Sequence, residues 1–327
     1  MTVFLFKNDK IKYMNKILVS GSLAYDYVMN FPDSFKNHIM PDNIHILNVC
    51  FMIDKLDKGW GGTAGNIAYT MSLLGGDPLM LSAVGKDGGE YLEHFRKNNI
   101  NVDNIIKDDN QFTSSAHITT DADDNQITAF YNGPLELGLN QNIYDLEDEI
   151  KLAIISATQK EVMVKHLKEA NEKEIETVFG PGQQITAFNE IELKKMLDQS
   201  KFVIGNDYEM KLLQERTGWG IEEILKHVDV MITTLGSEGS TVSTKEEVIS
   251  VGICVPDSVD DPTGAGDTYC AGFFMAYTEG KSLKECAQVG ATASSYAIEN
   301  YGTQSHKFTR EEFVDRYEKN FGEKINF

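Results

Sequence analysis

The chain has 327 residues, 41% of them apolar and 24% charged, which suits a folded soluble protein with one large α/β domain or two ordinary ones. A formal net charge of −20 excludes a general nucleic-acid or anionic-membrane binder, but not a nucleotide ligand, which a local cluster of backbone N–H groups can hold. The four cysteines (Cys50, Cys254, Cys270, Cys286) form no CxxC pair and the seven histidines no HxxxH or HExxH, which removes disulfide frameworks and zinc hydrolases.

Met1–Tyr13 has no signal-peptide h-region or cleavage site and reads as an N-terminal extension. No apolar run is long enough to span a bilayer, so the expected location is the cytoplasm. Lys16–Ser20 is the first convincing strand. A helix over Thr63–Leu74, a strand over Leu79–Val84 and a helix over Gly88–Asn98 follow. Further strands are expected at Leu152–Ser156, Glu176–Phe179, Phe202–Gly205 and Asp229–Thr234, with amphipathic helices between most of them. This alternation predicts a doubly wound, mainly parallel α/β sheet flanked by helices.

Two segments break the alternation. Asn43–Ile53 and Ser114–Tyr131 carry β-rich runs without helices, the second interrupted by the turn-like Asp121–Asn125. They predict a small second sheet, inserted in a single domain over residues 1–327 as a lid above the active site. Near the C-terminus, a loop over Asp257–Gly266 leads into a buried helix, Asp267–Glu279, with another at Leu283–Ile298.

Chemistry concentrates in short polar and glycine-rich segments. In Asp261-Pro262-Thr263-Gly264-Ala265-Gly266-Asp267, the glycines let backbone N–H groups approach a ligand where a helix begins, an arrangement that stabilises anions. A carboxylate beside an anion hole repels phosphate unless it has its own task. General-base catalysis by Asp267 is such a task, and an acidic first helical turn is the plain alternative. Asn206 and Glu209 stand three apart at a helix start; taken alone they read first as an ordinary capping box, and they also suit Mg²⁺, directly or through water. Thr234-Leu235-Gly236-Ser237-Glu238-Gly239 suits either nucleotide approach or a turn into a hairpin. Gly61-Gly62-Thr63-Ala64-Gly65-Asn66 suits close ligand approach with Asn66 as donor and acceptor, or a tight turn.

Taken together and in this order, these segments resemble the ribokinase-like (PfkB) family of carbohydrate and nucleoside kinases. Asp261–Asp267 resembles its C-terminal signature, Gly61–Asn66 its Gly-Gly-x-x-x-Asn signature, and Asn206–Glu209 its Asn-x-x-Glu element. Thr234–Gly239 resembles its nucleotide loop, and Gly21–Asp26 the segment whose aspartate binds substrate hydroxyls. The resemblance runs from about Lys16 to Phe308. It implies a ribokinase-like fold and ATP-dependent phosphorylation of an alcohol. Asp267 would be the base, with Gly264, Ala265 and Gly266 as the anion hole. Asp26, Gly62 and Asn66 would hold the acceptor, and Thr234, Gly236 and Gly239 would contact ATP. Asn206 and Glu209 would organise Mg²⁺, and Asp261 and Gly302 would border a monovalent cation such as K⁺.

Ile39–His45, Asp124–Phe130 and Asn300–Gln304 resemble segments of bacterial adenosine kinases in this family. With Phe130 as an aromatic surface for a purine, they imply adenosine as the acceptor, phosphorylated at its 5′-hydroxyl to give AMP. Phe51 and Tyr131 could serve the same end or simply pack the lid. The alternatives are a sugar kinase acting on ribose, fructose or a related polyol, and a non-catalytic nucleoside-binding sensor. Gly180-Pro181-Gly182-Gln183 departs from the Asp-Pro-Gly-Gln of such kinases, so any contact made by that aspartate is missing here. An exposed lid sheet would also allow a homodimer.

Overall fold

Ile17 to Ser20 are buried on both faces, as a strand inside a parallel sheet must be. The computed structural model describes residues 16–39, 45–46, 48–123 and 125–325. Met1–Tyr13, Met40–Ile44 of the Ile39–His45 segment, and Asp124 lie outside them.

In chain order the strands are β1 (Lys16–Ser20), β2 (Ala24–Asn30), β3 (Lys55–Gly61), β4 (Pro78–Val84), β5 (Ile105–Lys107), β6 (Ser114–Thr120) and β7 (Gln126–Tyr131). They continue with β8 (Ile150–Ser156), β9 (Glu176–Gly180), β10 (Phe202–Asn206), β11 (Val230–Thr234), β12 (Ser240–Ser243) and β13 (Val248–Val251). The helices are α1 (Thr63–Leu73), α2 (Gly89–Lys97), α3 (Lys160–Glu172), α4 (Glu190–Asp198), α5 (Asp207–Thr217), α6 (Ile221–Ile224), α7 (Ala265–Thr278), α8 (Leu283–Ala297) and α9 (Arg310–Phe321).

The large sheet has the order β13-β12-β11-β10-β9-β8-β1-β4-β5. It is parallel from β11 to β5, and β12 is reversed, pairing antiparallel with both β11 and β13. Alternate residues feed two cores, as the two-residue period of a strand requires. Val19, Ile154, Val178 and Phe202 pack with Ala68, Ala271 and Phe274 of α1 and α7 on one face. Leu18, Ala153, Ile155 and Phe179 pack with Leu167, Leu197 and Leu213 of α3, α4 and α5 on the other. The doubly wound arrangement follows directly.

The second sheet has the order β3-β2-β6-β7. Its Ser114–Tyr131 part forms β6 and β7, as expected. The other part is a correction. Residues 48–53 carry no strand, and the pairing partners are instead β3 and β2. The β-rich run leaves Ile46 and Met52 exposed, with no sheet face to bury them. Lys55-Leu56-Asp57-Lys58-Gly59 forms a solvent-facing edge strand whose charges hide its pairing.

Candidate active site

The last residues of β8, β9, β10 and β11 (Ser156, Gly180, Asn206 and Thr234) all line one cleft of about 600 Å³. This is where open α/β sheets place ligands, beyond the carboxyl ends of their strands. The second sheet supplies the opposite wall through Ala116, Ile118, Gln126, Thr128 and Phe130.

Asp267 sits in the first turn of α7, half-buried at the cleft. Gly264 caps that helix with φ 78°, a left-handed conformation that a side chain would strain. A β-carbon on Gly266 would meet nothing within 4 Å, so its backbone faces open space. First-turn N–H groups lack intrahelical acceptors, which leaves donors and the positive helix end at this point. Gly264, Gly266 and Asp267 line the cleft, whereas the N–H of Ala265 is committed to the Pro262 carbonyl at 3.2 Å.

Asn66, in the first turn of α1, donates from Nδ2 to Asp267 Oδ2 at 2.8 Å. Burial raises Asp267 to about 7; the Asn66 donation works against this, and the Glu209 charge adds to it. Asp26 on β2 also faces the cleft and is likewise raised to about 7, by burial first and then by the charges of Asp267 and Asp261. Gly62 caps α1 with φ 85°, and a β-carbon there would stand 2.5 Å from the Ser22 carbonyl.

Asn206 and Glu209 form the capping box in full. Asn206 Oδ1 accepts from Glu209 N at 2.8 Å, and Glu209 Oε2 accepts from Asn206 N at 3.0 Å. Both residues also line the cleft, and burial raises the Glu209 carboxyl. Among the described residues no group of three His, Cys, Asp or Glu could hold a metal ion. Asn206 and Glu209 offer oxygen donors at the cleft, the donor type that a hard cation keeping most of its waters takes.

Thr234 lines the cleft, while Gly236 and Gly239 form the turn from β11 into β12. Asp261 lies outside the lining; its carboxylate accepts from the N–H groups of Thr263 at 2.9 Å and Gly302 at 3.1 Å, so those two loops are joined. Phe130 lines the cleft and is 49% exposed. Phe51 does not line it: its ring lies 4.9 Å from those of Phe31 and Phe35. Gly180 lines the wall, and a β-carbon on it would come no closer than 3.4 Å to Ile204. The expected aspartate would thus find room. Asn132 and Leu135, which follow β7, complete the wall without belonging to any motif.

The chain matches the family model for pfkB family carbohydrate kinases over residues 23–309. It is similar to the nucleoside kinase of Methanocaldococcus jannaschii, with 31% identity over 311 residues, 94% of this chain and 98% of that one. It is also similar to the structure of Burkholderia thailandensis nucleoside kinase in complex with inosine. There the TM-score is 0.87 and the identity 31%, over 94% of this chain and 99% of that one. A second structure of that enzyme is a complex with ADP-inosine. The ribokinase of Lactococcus lactis is 29% identical over 252 residues, 75% of this chain and 81% of that one.

Proposed function

The chain belongs to the pfkB family of carbohydrate kinases and is an ATP-dependent kinase with a ribokinase-like fold; from that premise we propose that its acceptor is a nucleoside, adenosine foremost, phosphorylated at the 5′-hydroxyl. The observation that carries this is the apolar wall of Ala116, Ile118, Phe130 and Leu135 opposite the polar strand ends. A flat base would cover that wall, and a lone sugar would leave it bare. Near full-length similarity to nucleoside kinases supports the same reading.

In this mechanism Asp26, with the Gly62 backbone beside it, holds the ribose hydroxyls, and Asn66 steadies the base. Asp267 takes the proton of the acceptor hydroxyl as its oxygen bonds to the γ-phosphorus and the bridging P–O bond to ADP breaks. Backbone N–H groups of Gly264 and Gly266 face the charge that develops on the transferring group. Thr234 and the Gly236–Gly239 turn border the nucleotide. Mg²⁺, when bound, supplies charge neutralisation between the phosphates, and Asn206 and Glu209 would hold its waters. Asp261 and Gly302 would border a monovalent cation. The second sheet acts as the lid, and its exposed edges suit pairing with a second copy.

A sugar acceptor is the second reading, favoured by the similarity to the Lactococcus lactis ribokinase. ADP release from Mg·ATP with adenosine, guanosine, inosine, cytidine, ribose, fructose or no acceptor separates the two. Turnover with adenosine well above ribose is expected. Turnover with a sugar alone would move the substrate and keep the chemistry. ATP binding without turnover of any acceptor would point to a sensor.

A further inference from the structure

Asp267 is held by a chain of side chains that reaches away from the cleft. Asn66 donates to Asp267 Oδ2 at 2.8 Å, and Asn66 Oδ1 accepts from Gln304 Nε2 at 3.0 Å. The same Gln304 nitrogen donates to Tyr91 Oη at 2.7 Å, and Tyr91 O–H donates to the Gly61 carbonyl at 2.7 Å. Gln304 Oε1 faces His94 Nε2 at 3.1 Å. Tyr91, Gln304 and Asn66 are buried, with exposures of 0%, 4% and 5%.

The polarity of this chain is fixed by one backbone atom. The Gly61 carbonyl can only accept, so Tyr91 must give its proton there and its oxygen must accept in turn. The Gln304 atom facing Tyr91 is therefore the amide nitrogen. That nitrogen also faces Asn66, which must then present its oxygen to Gln304 and its N–H₂ to Asp267. Gln304 Oε1 is left to accept, and His94 supplies the N–H. His94 cannot turn away, because its ring is stacked between Trp60 at 4.4 Å and Tyr69 at 5.6 Å. Along His94, Gln304 and Asn66 each donor thus points toward Asp267, and neither amide can reverse without leaving buried groups unpaired.

We propose that Gln304, seconded by His94, is a positioning residue for the kinase reaction: it fixes the Asn66 amide so that Asn66 always donates to one oxygen of Asp267. The other oxygen is thereby the one offered to the acceptor hydroxyl. Gln304 itself does not line the cleft, so it acts only through Asn66. The inference rests on Asp267 being the base.

Gln304→Glu tests it, because glutamate keeps the shape and loses the N–H donors, so Asn66 is free to turn its oxygen toward Asp267. With Mg·ATP and adenosine, inosine or ribose as acceptor, kcat should fall about 10–100-fold, part of the usual contribution of a general base. KM for acceptor and for ATP should each change less than about threefold. In an Asp267→Asn background the same substitution should change the residual rate less than about twofold, since nothing is left to position. Wild-type kcat in folded Gln304→Glu, a loss confined to KM, or the full loss recurring in the Asp267→Asn background would each overturn the proposal.

Should Gln304→Glu not fold, His94→Phe keeps the ring stack and removes the N–H. It should lower kcat about 3–10-fold with KM unchanged, and an unchanged kcat would again overturn the proposal. Failure of the base assignment looks different: Asp267→Asn alone would then turn over at the wild-type rate, and this proposal would fall with it.

Discussion

The carboxylate of Asp26 occupies the space that a side chain on Gly61 would need: a β-carbon there would stand 2.2 Å from Asp26 Oδ2. Gly61→Ala should therefore push Asp26 out of place while sparing the ATP end of the cleft. We expect KM for the acceptor to rise by about 10-fold or more with ATP affinity unchanged, since the loss falls on acceptor binding. Calorimetric titration with each ligand checks this. Equal affinity for acceptor in wild type and variant would remove Asp26 from the acceptor site.

Asp267→Asn should lower kcat by about 10²–10⁴-fold with both substrates still bound, the scale for removing a general base. Single-turnover phosphorylation with saturating Mg·ATP measures the chemical step directly. A wild-type rate would show that another group takes the proton.

The pH dependence follows from the two raised carboxyls. Asp267 must be ionised to act, so kcat/KM should rise with pH, reaching its plateau only above about 7. Stability runs the other way. Between the ordinary value of 3.8 and about 7, folded Asp26 keeps a proton that the unfolded chain has lost, so its contribution to stability declines as pH rises through that window. Asp26→Asn should accordingly raise the melting temperature at pH 8 and lose that advantage by pH 4. Thermal unfolding at both pH values checks the sign.

The capping duty of Asn206 can be separated from the metal role proposed for it. Asn206→Ala removes the cap of α5 and should cost about 0.5–2 kcal/mol of stability. Asn206→Ser keeps a capping oxygen but shortens the reach into the cleft. That variant should melt near wild type while needing several-fold more Mg²⁺ for half-maximal rate. Titration of rate against Mg²⁺, beside thermal unfolding, distinguishes the two duties.

The core of this architecture was legible because its strands are buried on both faces, and runs such as Leu18-Val19 and Ile154-Ile155 leave no other reading. Asp267 was legible for a related reason, since few residue types fit the left-handed cap that Gly264 makes before a helix opening on a cleft. The second sheet was harder. Lys55–Gly61 is charged and mostly exposed, and it pairs with β2 across a long connection that its own pattern does not reveal. The line of residues behind Asp267 was harder still. Asn66, the Tyr91–His94 turn and Gln304 come from distant parts of the sequence, and only the packing of α1, α2 and the Gly302–Gln304 loop brings them together.

Asp26 belongs to the second sheet and Asp267 to a helix of the large one, and the chain crosses from β1 into β2 through Gly21–Leu23 alone. Any approach of the second sheet to the first thus brings two carboxylates toward each other in poorly hydrated surroundings, where like charges repel most. An acceptor that places hydroxyl groups between them, as proposed above, would relieve that repulsion. Burial already holds both carboxyls high, so closing an empty cleft favours the proton-bound acids over a free base.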